Sequence, residues 1–242
     1  MLVRSQSRKI FAEDIRRDLR AHADPKKAKL LAGFFKTGKG EYGEGDKFIG
    51  VMVPATRGVV KKYKDVKLPE ALKLLRSRIH EERLAAVLLL VSKYESGGDK
   101  EKIAGIYLKN AKYINNWDLV DLSAPRILGS YFLNRSRQPL YKFAGSKDLW
   151  ERRISILSTL GFIVRGEYKD TFRIAEILLR DEHDLIHKAV GWMLREVGKR
   201  VSQKAEEDFL KKRYKKMPRT MLRYAIERFP EARRKAYLNG RV

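Results

Sequence analysis

A 35-residue repeat is the feature of this sequence that most restricts its fold. Five segments align with a constant step of 35 residues, and the aligned column contains Arg83, Asp118, Arg153, Lys188 and Arg223. A small or β-branched residue follows two positions later in each segment, and one further helix is predicted between consecutive segments. This period is typical of helical hairpins that bury their apolar faces against neighbouring repeats.

The apolar pattern along the chain predicts helices and no sheet. Apolar positions recur mostly three or four residues apart, whereas the alternation of a strand and the Asn-Gly pair of a tight hairpin are missing. Several prolines stand where a helix is expected to begin, because proline is tolerated in the first turn. The predicted helices cover residues 10–19, 25–36, 54–63, 69–75, 81–94, 99–113, 117–133, 149–164, 171–179, 184–197, 205–214 and 217–229.

The type of repeat follows from its length and from a missing signature. The pattern Trp-x2-Leu-Gly-x2-Tyr of TPR repeats does not occur, so a HEAT-like hairpin fits better. We expect an all-α fold, a curved solenoid of HEAT-like hairpins whose second helices line a concave, basic face. The period is clearest from about residue 80 to 230, and a glycine-rich loop covers 37–50. Because no linker divides the chain, residues 1–242 are predicted to form a single domain.

The charge of the chain indicates a polyanionic partner. Lys and Arg number 54 against 30 Asp and Glu, which gives a formal net charge of +24. A fold does not require such an excess, and binding to nucleic acid is its usual reason. Four of the five residues in the repeat column are cations, so the column predicts a basic track that matches a phosphate backbone. The alternative is a solvated polar position at the start of each helix.

Several classes of protein are disfavoured by composition. The absence of cysteine excludes disulfides, thiolate metal sites and cysteine nucleophiles, and it fits a reducing compartment. The N-terminal stretch has no apolar core or cleavage site of a signal peptide, and the most apolar run, 84–92, is too short to span a bilayer. We therefore expect a cytoplasmic protein, associated with the nucleoid when bound to DNA, with no membrane partner and no metal.

The tract Asn-Asn-Trp-Asp-Leu-Val-Asp-Leu-Ser-Ala-Pro at 115–125 concentrates groups that could carry chemistry. Trp117 and Asp121 are one helical turn apart and are predicted to share a face. Asp118 lies in the first turn, where the helix dipole favours a carboxylate, and we interpret it as structural. Pro125 cannot donate to the carbonyl of Asp121, which predicts a kink. A core tryptophan and a capping aspartate remain the alternative interpretation.

Two further tracts combine aromatic and basic residues. In 184–197, Trp192 follows Gly191, a residue that leaves room for a close approach on that turn. Simple packing is the alternative role for this indole. In 149–155, Arg152 or Arg153 could hold a phosphate or pair with a neighbouring acid.

These three tracts together resemble the AlkD-like family of DNA alkylation repair glycosylases. The segments NNWDLVDLSAP, DLWERRISIL and HKAVGWMLREVGK keep the order and approximate spacing of that family, over roughly residues 45 to 230. The resemblance implies HEAT-like repeats and a monofunctional glycosylase that excises positively charged N3- or N7-alkylated purines from duplex DNA. It further implies hydrolysis of the N-glycosidic bond without full flipping of the base.

The resemblance also assigns roles to individual residues. Asp121 matches the catalytic aspartate, Trp117 and Trp192 match the two cleft tryptophans, and Arg153 matches an arginine that contacts phosphate. Met52 departs from the family, which often has a polar residue there, and this puts one DNA contact in doubt. With the repeat column and the glycine-rich stretch, the predicted DNA contacts are Arg83, Arg152, Arg153, Lys188, Lys39 and Lys47.

The implied chemistry requires one carboxylate and no cofactor. Alkylation turns the base into a cationic leaving group, so positive charge develops on the sugar in the transition state. A preorganised Asp121 can stabilise that charge and position water, and indole faces favour a nearby cation. No lysine has a marked Schiff-base setting, so strand cleavage is not expected.

Two other functions remain open from the sequence alone. A non-catalytic HEAT-repeat module that binds damaged or branched DNA would explain the charge and the repeat, but it leaves the Trp-Asp-x-x-Asp motif accidental. A protein-binding scaffold would explain the repeat but not the charge. Under the glycosylase prediction, we expect a monomer that binds double-stranded DNA with alkylated bases, with little sequence preference and strong sensitivity to salt.

Overall fold

The computed structural model describes residues 9–242, and helices dominate this range. No strand forms within it, and an isolated parallel bridge joins Lys47 to Ile79. The predicted all-α class, built from helical repeats, is confirmed. No helix between residues 9 and 242 is long and apolar enough to cross a membrane. The basic concave face stays a prediction.

The helices are short, and several end in a turn of different pitch. Single 3-10 turns form at Ala111–Tyr113, Tyr214–Lys216 and Ile226–Arg228, and one π-helical segment forms at Pro125–Gly129. The α-helices are α1 (Ala12–Arg20), α2 (Pro25–Phe34), α3 (Val53–Lys62), α4 (Leu68–Leu75), α5 (His80–Glu95), α6 (Lys100–Lys109), α7 (Trp117–Ala124), α8 (Gln138–Ala144), α9 (Leu149–Ser158), α10 (Leu160–Ile163), α11 (Lys169–Ile177), α12 (Asp184–Arg200), α13 (Gln203–Lys211), α14 (Arg219–Ala225) and α15 (Glu231–Leu238).

The chain forms two compact units. Among the described residues, the first contains 9–103 together with Tyr113–Leu119, and the second contains Ala104–Lys112 and Val120–Val242. Helix α7 therefore begins in the first unit and continues in the second. The single domain predicted from the sequence stays a prediction, and each unit is described by itself below.

Each unit has one long buried helix. In the first unit, α5 buries nearly all of its residues, which agrees with the interpretation of the apolar run 84–92 as a buried helix. In the second unit, α12 buries Ile186, Val190 and Leu194 along one face. Full burial of one such side chain contributes about 1.5–3 kcal/mol, so these two helices hold much of the core of each unit.

Helix boundaries follow the expected capping signals. Pro25 is the first residue of α2, and Asp24 before it accepts hydrogen bonds from the backbone N–H groups of Lys26 and Lys27. His183 caps α12 in the same way, since its Nδ1 accepts from the Leu185 N–H group. Such caps satisfy backbone donors that the first turn leaves unpaired.

The sequence did not predict α8 and α15. Helix α8 has only seven residues, and Pro139 stands in its first turn. Half of the residues of helix α15 are charged, and the helix buries only Tyr237. In both helices the apolar stripe is too short to produce a recognisable period of 3.6 residues.

The kink predicted at Pro125 coincides with the start of a π-helical segment. The helix changes from α to π pitch over Pro125–Gly129, where proline cannot supply the hydrogen bond to the Asp121 carbonyl. Gly129 then packs directly on Gly161, because a Cβ atom added to Gly161 would lie 2.6 Å from the Gly129 carbonyl carbon. This backbone contact fixes the π-helical segment against α10, to which Gly161 belongs.

The room beside Gly191 is filled by another helix. A Cβ atom at Gly191 would lie 2.4 Å from the carbonyl oxygen of Met221 and 2.5 Å from the Cβ atom of Tyr224. The close approach predicted for this turn is therefore the contact between α12 and α14.

Candidate functional site

In the second unit, Asp121 and Arg153 form a bidentate ion pair. The Arg153 Nε–H group donates to Oδ1 at 2.8 Å, and an Nη2–H group donates to Oδ2 at 2.7 Å. The Arg153 side chain is 6% exposed and the Asp121 side chain 17%. A planar guanidinium that meets both oxygens fixes the carboxylate plane as well as its position. The sequence left two roles open for Arg153, phosphate binding and pairing with an acid. In this structure Arg153 pairs with an acid.

Arg153 also connects this carboxylate to the start of α12. Its Nη1–H group donates to the backbone carbonyl of Leu185 at 2.6 Å, so each of its three nitrogens makes a hydrogen bond. Because Leu185 lies in the first turn of α12, the guanidinium spans residues one repeat before and one repeat after its own. The Arg153 guanidinium is thereby held between the Asp121 carboxylate and the Leu185 carbonyl.

A buried hydroxyl pair lies near the Asp121 carboxylate. The hydroxyl groups of Tyr107 and Ser123 are hydrogen-bonded at 2.8 Å, and both side chains are buried. Burial raises the pKa of Tyr107 well above its ordinary value, and the negative charge of Asp121 adds to this rise. Tyr107 therefore stays protonated and is unsuited to act as a base.

Trp192 is half-buried on α12, and its indole is oriented by hydrogen bonding. The indole N–H group donates to Oε1 of Glu196 at 3.3 Å, and Oε2 of Glu196 accepts from Arg200 at 2.6 Å. Burial would raise the pKa of Glu196, but the hydrogen bonds from Arg200 and Trp192 and the positive charges of Arg200 and Lys199 together outweigh burial and lower the pKa. The indole is thus anchored through its N–H edge.

In the first unit, Trp117 belongs to a layer of aromatic rings. Its ring stacks on Phe35 with centroids 5.1 Å apart and planes 16° apart, and Phe35 stacks in turn on Phe48 at 5.0 Å. Phe34 meets the Trp117 ring edge-to-face at 5.9 Å. The half-buried indole is therefore held by packing on the residues just after α2.

His80 is the centre of a buried charged cluster in the same unit. Its Nδ1 contacts Asp46 and its Nε2 contacts Asp118, each at 2.9 Å, and its ring stacks on Phe48. Burial alone would lower the pKa of His80, but the hydrogen bonds and charges of Asp118 and Asp46 outweigh it and raise the pKa to about 9. At neutral pH both ring nitrogens therefore carry a proton and donate. The structural interpretation of Asp118 agrees with this geometry.

This cluster was missed by the sequence analysis. His80 is an isolated histidine, and its two partners lie 34 and 38 residues away. One signal was available in the repeat column, because Asp118 is its only acid. A lone acid in a column of cations suggests a local partner of opposite charge.

The glycine-rich segment is tied to the start of α5. One carboxylate oxygen of Glu81 accepts from the backbone N–H groups of Ile49, Gly50 and Val51, at 3.1, 2.8 and 3.2 Å. Gly40, Gly45 and Gly50 have φ angles of 78°, 79° and 86°, which favour glycine. Of the predicted DNA contacts in this segment, Lys39 and Lys47 are both exposed.

The repeat column divides into buried and accessible members. Arg83 is 4% exposed and donates to the carboxylate of Asp46 at 2.7 Å, while Arg153 and Asp118 are also buried in ion pairs. Lys188 is partly exposed and pairs with Asp184, and Arg223 is exposed. A basic track along this column can therefore draw on Lys188 and Arg223.

Arg152 serves as a connector between loops in this structure. Its Nε–H group donates to Asp181 at 2.6 Å, and its Nη1–H groups donate to the carbonyls of Ser146 and Lys147. Its predicted phosphate contact stays a prediction. Met52, at the N-cap of α3, is 46% exposed and makes no side-chain cap bond, so the doubt about a DNA contact there also stays open.

No cluster of three or more His, Cys, Asp or Glu side chains suited to a metal ion occurs within residues 9–242. At Asp121, a carboxylate and the Arg153 guanidinium instead form a fixed ion-paired centre in a strongly cationic chain. Such a centre can stabilise a developing positive charge or orient a water molecule.

Comparison with known proteins gives a family and a fold. Residues 15–229 match the family model described as DNA alkylation repair enzyme. A solved structure of a predicted DNA alkylation repair enzyme from Enterococcus faecalis is similar, with a TM-score of 0.68 and 16% sequence identity over 87% of this chain and 98% of that chain. At this identity the likeness shows the fold alone. No curated protein sequence matches this chain.

Proposed function

This chain belongs to the DNA alkylation repair enzyme family, and from that premise we propose that it is a DNA glycosylase. Its proposed substrates are positively charged N3- or N7-alkylated purines in duplex DNA. Water adds to C1′ of the deoxyribose as the N-glycosidic bond breaks, which leaves an abasic site and a free alkylpurine. The role in DNA repair comes from the family, whereas the reaction and the substrate are our proposal.

The observation that carries the proposal is the orientation of Asp121 by Arg153. Both carboxylate oxygens are fixed by a buried guanidinium, yet the aspartate side chain retains 17% exposure. Preorganised charge stabilises a transition state without the cost of reorganising during the reaction. The partial exposure of the Asp121 side chain gives a substrate access to the carboxylate, which an ion pair with a purely structural role does not need.

One carboxylate suffices for this reaction. Because the alkylated base already carries a positive charge, it leaves as a neutral purine and needs no general acid. Asp121 is proposed to face the deoxyribose, where it stabilises the developing oxocarbenium charge and accepts a proton from the attacking water. This differs from common glycosidases, which use a pair of carboxylates.

Trp117 and Trp192 are proposed to contact the lesion or its sugar through their indole faces. An indole face attracts a cation, and the interaction strengthens when water is excluded. Each ring is held firmly in its own unit, Trp117 by stacking on Phe35 and Trp192 by the bond to Glu196. Neither ring therefore has to be ordered when DNA binds.

We assign Arg153 primarily to positioning. Its three nitrogens are all engaged by Asp121 and the Leu185 carbonyl, so its first effect is on the carboxylate. Arg83 is not part of the proposed DNA-binding set, because its guanidinium is buried and bonded to Asp46. Exposed Lys39 and Lys47 and partly exposed Lys188 are the better phosphate ligands.

The proposal is tested by release of free base from duplex DNA that contains N7-methylguanine. Wild type should release the base, whereas Asp121→Asn, which keeps the shape but loses the charge, should not. Affinity of Asp121→Asn for DNA should be equal or tighter, because a negative charge near the phosphates is removed. Asp184→Asn, a change at a more exposed aspartate at the start of α12, is the matched control and should release base normally.

Other outcomes would favour a different function. If neither wild type nor variant released base while salt-sensitive DNA binding persisted, the chain would be a non-catalytic module for damaged or branched DNA. If Asp121→Asn lost DNA affinity together with folding, the Asp121 carboxylate would be structural and the catalytic assignment would be wrong.

A further inference from the structure

Helix α2 exposes an apolar ridge on the surface of the first unit. None of its residues is buried, and Leu30 and Phe34 are 72% and 64% exposed. These are the highest exposures among the large apolar side chains of residues 9–242. Because the two residues are four apart, they lie on one stripe of the helix. Paired exposure of this kind is typical of an interaction surface, whereas single exposed apolar residues are ordinary.

The opposite side of α2 is fixed to the protein. The Asp24 N–H group donates to the Ile49 carbonyl at 3.0 Å, and Gly50 packs against the first turn. A Cβ atom at Gly50 would lie 2.0 Å from the Asp24 carbonyl oxygen and 2.7 Å from the Ala28 nitrogen. The helix is therefore anchored at its N-terminal turn, and the stripe with Leu30 and Phe34 is directed outward.

Gly33 lies on this exposed stripe between Leu30 and Phe34. A Cβ atom there would meet nothing within 4 Å, and its φ angle does not require glycine. Glycine destabilises a helix relative to alanine, so this position carries a cost with no compensating contact among the described residues. Lack of a side chain at such a place allows another molecule to approach the backbone closely.

Positive charge borders the ridge. Helix α2 has three lysines and no acid, and exposed Lys36 follows it. Within residues 9–242, Lys26, Lys29 and Lys36 form no ion pair, so their charge is available to an anionic partner. The ridge also reaches Trp117 of the same unit, because the centroids of the Phe34 and Trp117 rings are 5.9 Å apart.

We propose that the α2 ridge, formed by Leu30, Gly33 and Phe34, lies in the minor groove of duplex DNA. Lys26, Lys29 and Lys36 contact the flanking phosphates, and the two apolar side chains contact the sugars that line the groove. Gly33 lets the helix backbone approach the groove. This inference rests on the proposed function in taking DNA as the partner, and it adds the groove and the residues that enter it.

The test measures the affinity of the full chain for an undamaged duplex, with Gly33→Ala as the central variant. This variant should raise the thermal midpoint of unfolding, because alanine favours the helix, and yet it should weaken DNA binding. Phe34→Ala should weaken binding about tenfold, the cost of losing one buried apolar side chain. Netropsin, which fills the minor groove, should compete more strongly against wild type than against Phe34→Ala.

Gly58→Ala provides the matched control. Gly58 is also an exposed helical glycine of the first unit, in α3, and a Cβ atom there would meet nothing within 4 Å. This variant should gain thermal stability and bind the duplex with unchanged affinity. A gain in stability shared by both variants, with loss of binding confined to Gly33→Ala, would support the ridge as a DNA surface.

Three results would overturn the inference. Gly33→Ala and Phe34→Ala could both bind the duplex like wild type. Alternatively, they could keep DNA affinity and lose binding to phosphatidylserine vesicles, which would assign the ridge to a lipid surface, or lose self-association in sedimentation, which would assign it to a second copy. Absence of base release by wild type, with duplex binding still weakened in both variants, would overturn the glycosylase proposal and support the ridge.

Discussion

Arg153 meets Asp121 with two parallel hydrogen bonds, one of 2.8 Å from Nε and one of 2.7 Å from Nη2. Such a fork defines the tilt of the carboxylate, which a single donor leaves free to rotate. The third bond, to the Leu185 carbonyl, prevents the guanidinium from following the carboxylate if it moves. Arg153 therefore restricts the orientation of the proposed catalytic group through both of its carboxylate oxygens.

Arg153→Lys is expected to separate orientation from charge. Lysine keeps the positive charge but replaces the planar fork by a single ammonium group. We expect base release to fall by about 100-fold, the scale of a displacement near 1 Å in a reacting group. DNA affinity should change much less. Single-turnover release of N7-methylguanine measures the rate of base release, and equilibrium binding to the same duplex measures DNA affinity.

Arg152→Lys is the control for that variant. Arg152 is the adjacent residue, with 18% of its side chain exposed against 6% for Arg153, and its bonds go to Asp181 and to loop carbonyls. It should lose some thermal stability and retain base release. Equal loss of activity in both variants would contradict the positioning role of Arg153.

His80 predicts a pH dependence of stability. Its pKa is raised to about 9 by Asp118 and Asp46 despite burial, against about 6.5 in the unfolded chain. The folded state thus binds the proton more tightly, so this contribution is complete below pH 6.5 and is lost as pH rises through 9. The shift in pKa corresponds to about 3 kcal/mol of unfolding free energy. Buried Arg83 also faces this cluster, because it forms an ion pair with Asp46.

Urea unfolding at a series of pH values checks this prediction. His80→Gln has no titrating group, so the difference in unfolding free energy between wild type and variant should be largest near pH 6 and shrink by pH 9.5. Direct titration of the His80 ring by NMR gives the pKa itself. A difference that stays constant from pH 6 to 9.5, or an NMR pKa near 6.5, would contradict the doubly hydrogen-bonded imidazolium.

The helices were largely predictable because their apolar spacing is a local property. The period of the repeat and the prolines in first turns located most of them, and the π-helical segment begins at Pro125, where a kink was predicted. The ion pairs were not predictable in the same way. Arg153 and Asp121 were both candidates, but the sequence left phosphate binding and pairing with an acid equally open, since that choice depends on residues 32 positions apart.

The repeat column illustrates a second limit of the sequence. Arg83 and Arg153 look like surface cations because arginine is usually exposed, yet both are buried at the start of a second helix. Helix α5 is buried on nearly all sides, so its periodicity does not identify a solvent face. Their acidic partners, Asp46 and Asp121, lie earlier in the chain, and no local sequence pattern identifies them as partners of these arginines.

Gly161→Ala tests the packing that supports the π-helical segment. A Cβ atom there would lie 2.6–2.9 Å from backbone atoms of Gly129 and Pro125, so the segment after α7 must shift. We expect a loss of about 1–3 kcal/mol in unfolding free energy, the usual cost of overpacking. Gly105→Ala is the control, because a Cβ atom at this α6 glycine meets nothing within 4 Å. It should be neutral or stabilising by up to about 1 kcal/mol, and similar destabilisation of both variants would argue against the glycine contact.

The salt dependence of DNA binding tests the accessible part of the repeat column. Each cation that neutralises a phosphate releases counterions and adds about 0.9 to the slope of log affinity against log salt. Lys188→Gln and Arg223→Gln should each lower that slope by about one without changing sequence preference. Lys204→Gln, a change at an exposed lysine in α13 outside the column, should leave the slope unaltered. Equal slopes in all four proteins would show that phosphates do not follow the column, and the +24 charge would then act through other surfaces, such as the lysines beside the α2 ridge.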